Sequence, residues 1–153
     1  MPEIQVVLAK GSNIELADLG VIPSNVIVVD KAPQMELLKH SALCITHAGL
    51  NTALEALIQG VPMVAIPISY DQPGVATRIA YHGVGEFLEV DNISIDSLHE
   101  SIQKVLRTPS YLEKAPYFSE VIAKRRGLDV APEAIERAFE QAIANRPLEL
   151  SRT

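Results

Sequence analysis

The sequence has no tryptophan, one cysteine and no run of lysine or arginine longer than three residues. With Cys44 alone, an internal disulfide framework is excluded and a reducing compartment is the simplest assumption. Cys44 lies in the strand-like run Leu43-Cys44-Ile45, where it reads as a small hydrophobe rather than a reactive thiol. The 13 Lys and Arg against 19 Asp and Glu leave a formal net charge of -6. That balance, with a longest basic run of three residues at 124–126, gives no footprint for nucleic acid or an anionic membrane surface. Long hydrophobic runs are also missing. The most apolar stretch, residues 61–68, is short and holds Pro62 and Pro67, so no transmembrane segment is expected. The N-terminus lacks the basic, apolar and cleavage regions of a signal peptide, and the expected location is cytoplasmic. No Asp-x-Asp pair and no cluster of His and carboxylates points to a metal, and no resident cofactor is expected.

What remains is enough for one packed domain. A chain of 153 residues that is 48% hydrophobic can bury a core without disulfides or metal. No repeat, flexible linker or low-complexity segment divides it, so residues 1–153 are read as a single domain. Runs at 4–9, 26–30, 43–46, 63–66 and 84–90 are rich in Val and Ile and bounded by Gly, Pro or polar residues, as strands are. The first looks like a buried core strand. Helical patterns fall at 34–40, 50–59, 72–82 and 95–106, and the tail at 110–145 reads as helical with breaks near Pro116 and over 127–132. Alternation of this kind predicts an α/β fold, a Rossmann-like parallel sheet with helices on both faces.

Ligands of such sheets bind beyond the carboxyl ends of the strands, which directs attention to the residues that follow each one. Over 50–59, Leu50, Ala53, Leu54, Leu57 and Ile58 follow the spacing of a single helix face that is expected to be buried. Asn51, Thr52, Glu55 and Gln59 form the other. The polar face begins at the helix N-terminus, where unpaired amides and the positive dipole end attract anions, and Gly49 permits close approach of a phosphate. His47, Asn51 and Thr52 are donors suited to phosphate oxygens, and Glu55, one turn further in, can accept two ribose hydroxyls. The set describes a nucleoside diphosphate site. A helix dipole contributes about 0.3–1 kcal/mol while micromolar binding needs roughly 8 kcal/mol, so several contacts must act together. Taken singly, each residue has a plainer role: Thr46 or His47 as a helix cap, Asn51 as a partner of first-turn amides, Glu55 as a solvated side chain.

Residues 31–72 resemble the donor-binding signature of the UDP-glycosyltransferase superfamily, whose members pair two facing Rossmann-like domains in the GT-B fold. The resemblance rests on Ala32-Pro33-Gln34, Leu38 and His40, then on Thr46-His47-Ala48-Gly49-Leu50-Asn51-Thr52 with Glu55. Gly60-Val61-Pro62, Pro67 and Asp71-Gln72 complete it. The continuation through Ser69-Tyr70-Asp71-Gln72-Pro73-Gly74-Val75-Ala76, Arg78 and Tyr81-His82-Gly83-Val84-Gly85 looks most like the bacterial zeaxanthin (carotenoid) glucosyltransferases.

The resemblance implies the C-terminal, donor-binding half of a two-domain enzyme. In that role the backbone around Ala32 and Gln34 reads the base, Glu55 holds the ribose, and His47, Gly49, Asn51 and Thr52 hold the diphosphate. Asp71 and Gln72 bind the sugar hydroxyls, although Asp71 before Gln72-Pro73 also reads as an N-cap. Gly11 and Ser12 form a candidate phosphate loop, with a simple glycine turn as the alternative. Lys31 and Leu50 stand where plant members carry tryptophans, which leaves the base as uracil or thymine.

The implied activity is inverting, metal-independent transfer of a hexose, glucose in the first instance, from a UDP-sugar or TDP-sugar co-substrate to a hydroxyl of a lipophilic acceptor such as a carotenoid. The family's catalytic base, a histidine oriented by an aspartate, lies in the N-terminal acceptor-binding domain. Nothing in this chain matches that pair, so no catalytic residue is assigned and the chain alone is expected to be inactive. His82 and His99 read as capping or surface residues. The competing readings are a nucleotide-sugar-binding module, or subunit of a two-chain transferase, and half of a sugar-nucleotide epimerase.

Overall fold

Every paired strand in the computed structural model runs parallel to its neighbour, but the strands form two sheets, and the difference matters for the site. The structure describes residues 4–125 and 127–144. In chain order the elements are β1 (Val6–Ala9), β2 (Val26–Val29), α1 (Gln34–Leu38), β3 (Cys44–Thr46), α2 (Leu50–Ile58), β4 (Met63–Ala65), α3 (Gln72–Tyr81), β5 (Gly85–Phe87), α4 (Ile95–Arg107), α5 (Pro109–Ala123) and α6 (Gly127–Ala144). Short 3-10 turns at Leu16–Leu19 and Val90–Asn92 complete them. One sheet has the order β1-β2, the other β3-β4-β5. Thus the expected strand at 84–90 stops at Phe87 and gives way to a turn.

The centre of the molecule is β4. Met63, Val64 and Ala65 are all fully buried, and because successive side chains point to opposite faces, both faces must be covered. Met63 and Ala65 pack with Ala53 and Ala56 of α2 and Ala76 and Ile79 of α3. Val64 faces the other way, towards the side that α4 occupies against β4 and β5, where Val105 is fully buried. The expected helices on both faces are therefore present. Each fully buried side chain of this size stabilises the fold by about 1.5–3 kcal/mol. A Ser94–Ser97 capping box starts α4, and Glu86 of β5 binds both Lys104 of α4, at 3.0 Å, and the Tyr111 hydroxyl of α5.

Two sequence expectations need correction. The tail does not break at Pro116, and Pro132 lies inside α6; the described interruption falls instead after Ala123. A proline removes one backbone bond at a cost of about 3 kcal/mol, and here Pro116 recovers packing. Its backbone lies against Gly60, where a Cβ would come within 3.2 Å of the Pro116 Cα. Nearby, the Ser119 hydroxyl donates to the Ile58 carbonyl at the end of α2, at 2.7 Å. Position 145, the last of the expected tail helix, is outside the described residues.

The second correction concerns β1. Far from being a buried core strand, it leaves Val6 37% and Leu8 40% exposed. No helix follows β1 to cover it, only the Leu16–Leu19 turn, and among the described residues its strand partner is β2 alone.

Candidate nucleotide-binding site

The site is built where β3 turns into α2. The Ile66 amide donates to the Thr46 carbonyl at 2.7 Å, fixing the carboxyl end of β3 beside that of β4. Thr46 then folds back on the turn, its hydroxyl accepting from the Ala48 amide at 3.2 Å. Ala48 adopts φ 65, a left-handed conformation that costs a non-glycine residue about 1–2 kcal/mol. It is held there because its side chain is fully buried in the core cluster. Burial of Ala48 accompanies an exposed His47 immediately before it.

Gly49 occupies the N-cap of α2 and no side chain caps the helix. Thr46 and His47 are therefore not the caps that the plainer reading made them. The first intrahelical acceptor, the Gly49 carbonyl, is taken by the Ala53 amide. The amides of Leu50, Asn51 and Thr52 precede that bond and have no partner within the helix. His47, Gly49, Leu50, Asn51 and Thr52 line an open depression of about 260 Å³ around this end. The imidazole lies across Gly49, since a Cβ there would sit 2.6 Å from Nε2 of His47. The glycine thus makes room for the histidine as well as for a ligand.

Gln34, at the start of α1, joins the same site. Its side-chain amide donates to the Thr52 hydroxyl at 3.3 Å and to the Glu55 carboxylate. Glu55 is half-buried, and a carboxylate with one such donor retains acceptor capacity for further hydroxyls. Sequence reasoning placed the Gln34 backbone at the base but missed its side chain's link to α2. That link spans a sequence separation of 21 residues and has no local signal.

Asp71 and Gln72 begin α3, which packs beside α2 on the same sheet. Asp71 is at the N-cap position, yet its carboxylate caps no amide of the helix. Gln72 does the closing instead, its Oε1 accepting from the amides of Ile68 and Ser69 at 2.8 and 2.9 Å. Its amide nitrogen stays available as a donor. Between them and the strand, Tyr70 takes φ 58 and is almost wholly exposed, another backbone feature that the sequence did not signal.

Gly11 and Ser12 follow β1 in the other sheet. Gly11 has φ 73 and its amide donates to the Asp30 carbonyl at 3.1 Å, while Lys10 pairs with the Asp30 carboxylate at 2.6 Å. Among the described residues, no hydrogen bond joins this turn to the group around His47. Cys44 packs against the core, and burial pushes its thiol up to about 11. His40 and His99 are exposed, and His82 ends α3 with edge-on contacts to Tyr81 and Phe118, both at 5.2 Å. No three His, Cys, Asp or Glu cluster as metal ligands among the described residues, and no described helix is long and apolar enough to cross a membrane.

Comparison with known proteins agrees with this geometry. The family model for UDP-glucoronosyl and UDP-glucosyl transferase matches residues 17–134. An uncharacterized UDP-glucosyltransferase of Bacillus subtilis is 36% identical over 137 residues, which are 90% of this chain and 34% of that protein. Zeaxanthin glucosyltransferase of Pantoea ananas is 51% identical, but over 59 residues, 39% of this chain and 14% of its own length. The likeness to the carotenoid enzyme is thus strong over a short stretch, whereas the general glucosyltransferase likeness spans most of the chain. The crystal structure of the calicheamicin glycosyltransferase CalG4 aligns with a TM-score of 0.80 at 27% identity, over 90% of this chain and 36% of that one. The chain spans about a third of the length of the Bacillus relative. It belongs to the UDP-glucoronosyl and UDP-glucosyl transferase family, and has the α/β fold of GT-B glycosyltransferases over the matched region.

Proposed function

We propose that this chain is the donor-binding domain of an inverting, metal-independent glycosyltransferase, taking up a UDP-sugar and presenting its hexose, most simply glucose, to an acceptor held by a separate N-terminal domain. The observation that carries the reading is the uncapped N-terminus of α2, with His47, Asn51 and Thr52 around it and Glu55 one turn on. Amides and neutral donors at that end suit a diphosphate, and the Glu55 carboxylate suits the ribose. Asp71 and the amide nitrogen of Gln72 remain as the proposed partners of the sugar hydroxyls. Gly11 and Ser12 are a weaker proposal for phosphate contact, since Gly11 is already engaged by the turn at Asp30.

In the reaction, the acceptor hydroxyl attacks the anomeric carbon as the bond to the diphosphate breaks, and negative charge grows on the leaving oxygen. Fixed donors at the start of α2 stabilise that charge most where water is excluded. The hydroxyl proton passes to a base, which this reading assigns to the N-terminal domain. The acceptor is a small lipophilic molecule, a carotenoid being favoured by the short stretch of likeness to the zeaxanthin enzyme. The second reading is a nucleotide-sugar-binding module or the donor subunit of a two-chain transferase. It is favoured by a set of site residues that provides for binding without an identified base.

Calorimetric titration with UDP, UDP-glucose, TDP and a non-nucleotide control tests the binding claim. Saturable heat with UDP or TDP but not with the control is expected, and no binding at millimolar concentration overturns it. Addition of an N-terminal family domain then separates a transferase half from a binding module, because transfer to a hydroxyl acceptor is expected from a donor half, of one chain or of two, and not from a module.

A further inference from the structure

We propose that Ile68 and Tyr70, on the turn between β4 and α3, receive the apolar part of the acceptor, so that this domain takes part in choosing the acceptor as well as in holding the donor. The proposal rests on the donor-site reading and names what borders the sugar in it. Both side chains stand out from the turn, Ile68 71% and Tyr70 95% exposed. They lie past the carboxyl end of β4 and directly precede Asp71 and Gln72, the proposed partners of the sugar hydroxyls.

Hydrogen bonds fix this turn and use up much of its polar backbone. Gln72 Oε1 accepts from the amides of Ile68 and Ser69 at 2.8 and 2.9 Å, and the Gln72 amide donates to the Ser69 carbonyl at 3.2 Å. Pro73, next in α3, has no amide to give. The start of α2 is the opposite case, since no side chain caps it and the amides of Leu50, Asn51 and Thr52 have no partner within the helix. A charged ligand is thus served at α2, whereas the tip of the β4–α3 turn presents an aliphatic chain and an aromatic ring.

The backbone of Tyr70 agrees. Its φ is 58, a conformation that a bulky residue rarely adopts. Ala48, which is also left-handed, is held there by burial of its methyl group in the core. Tyr70 has no such burial, and the turn that Gln72 closes keeps its ring out in solvent. Strained residues of this kind concentrate at sites that meet a ligand.

The order of the reacting groups selects the occupant. Thr46 and Ala65 are paired at the ends of β3 and β4, and the Ile66 amide bonds to Thr46, so the start of α2 and the β4–α3 turn are neighbours at one edge of the sheet. With the diphosphate at the first and the hexose at Asp71 and Gln72, the acceptor is the remaining component to be placed. Inversion brings its hydroxyl to the side of the anomeric carbon away from the leaving diphosphate. In the product the acceptor is joined to the hexose through one oxygen, so its first carbons fall beside the residues that border the sugar. Neither a diphosphate nor a hydroxylated hexose gains from an aliphatic and aromatic surface, while a lipophilic acceptor does.

The test uses the full 153-residue chain, saturated with UDP, and two β-glucosides that stand for a transfer product: octyl β-D-glucoside, kept below its micelle concentration, and methyl β-D-glucoside. Ligand-observed NMR titration should show the octyl compound bound roughly tenfold more tightly, the gain from burying about two methylenes. Ile68→Ser and Tyr70→Gly, the latter suited to a positive φ, should each reduce that preference, and the double variant should abolish it. Val21→Ser should leave it unchanged, although Val21 is 97% exposed, because that residue precedes β2 at the amino end of its strand. Shifts of the Ile68 methyl and Tyr70 ring signals in the isotope-labelled, unaltered chain locate the octyl group independently if a variant unfolds. If UDP fails to bind, the donor-site reading falls and the acceptor surface with it. If UDP binds, equal affinity for the two glucosides, a preference kept by the double variant or lost in Val21→Ser, or unmoved Ile68 and Tyr70 signals would each overturn the acceptor surface alone.

Discussion

Gln34 and Glu55 are joined by a hydrogen bond that links the start of α1 to the middle of α2. The amide holds the carboxylate at the end of the sheet where the ligand is expected, with Thr52 as a second acceptor. Replacing Glu55 by Gln removes the charged acceptor proposed for the ribose and should weaken UDP binding by roughly tenfold to a hundredfold, in line with about 1.5–3 kcal/mol for hydrogen bonds to charged groups. Gln34→Ala leaves the carboxylate in place but unheld, and a smaller loss is expected. Titration calorimetry measures both, and equal affinities for both variants and the parent chain would remove Glu55 from the site.

His47 and Gly49 make a second test, because a Cβ at Gly49 would lie 2.6 Å from Nε2 of the imidazole. Gly49→Ala should leave the fold intact, since the ring is exposed and can rotate away, while displacing His47 from the depression. His47→Ala and Gly49→Ala should then weaken diphosphate binding by similar factors, and the double variant by little more than either alone. Fully additive losses in titrations of the three variants would show that Gly49 acts independently of the histidine.

Cys44 gives an alkaline signature. Burial raises its thiol from 9.0 to about 11, so between these values the unfolded chain releases a proton that the folded chain keeps. Stability should fall as pH rises from about 9 towards 11, by up to roughly 2–3 kcal/mol from this group. Tyr111 adds to the trend, its hydroxyl held above the ordinary value by burial and then by its hydrogen bond to Glu86. Urea unfolding of the parent and Cys44→Ala at pH 8 and 10.5 checks this, with a shallower alkaline decline in the variant. At pH 8 the thiol should also react with iodoacetamide on the order of a hundredfold more slowly than an ordinary cysteine.

Gly60 has φ 69 and sits against the backbone of Pro116. Alanine there meets both a left-handed backbone and a close Cα, and should destabilise the domain by about 1–3 kcal/mol. The same change at Gly74, where added bulk meets nothing within 4 Å and φ is ordinary, should have little effect on the urea midpoint.

Sequence by itself determined the features set by local periodicity and residue type. The five strands, and the placement of His47, Asn51, Thr52 and Glu55 on one turn and the helix after it, follow from spacing along the chain. The buried face of α2 does not: of the apolar face expected from periodicity, Leu50, Leu54 and Ile58 are 51%, 44% and 42% exposed, and Ala53 and Ala56 are the residues enclosed by the core. Tertiary structure alone decided the rest. Ala48 takes its left-handed turn because the core encloses its methyl group, and Gln34 meets Glu55 because the crossover from β2 brings α1 against α2. Pro116 stays helical where Gly60 offers a surface. The apolar run in β1 reads as core in the sequence but is left partly exposed, because hydrophobicity specifies a need for burial, whereas only the arrangement of strands and helices supplies the cover.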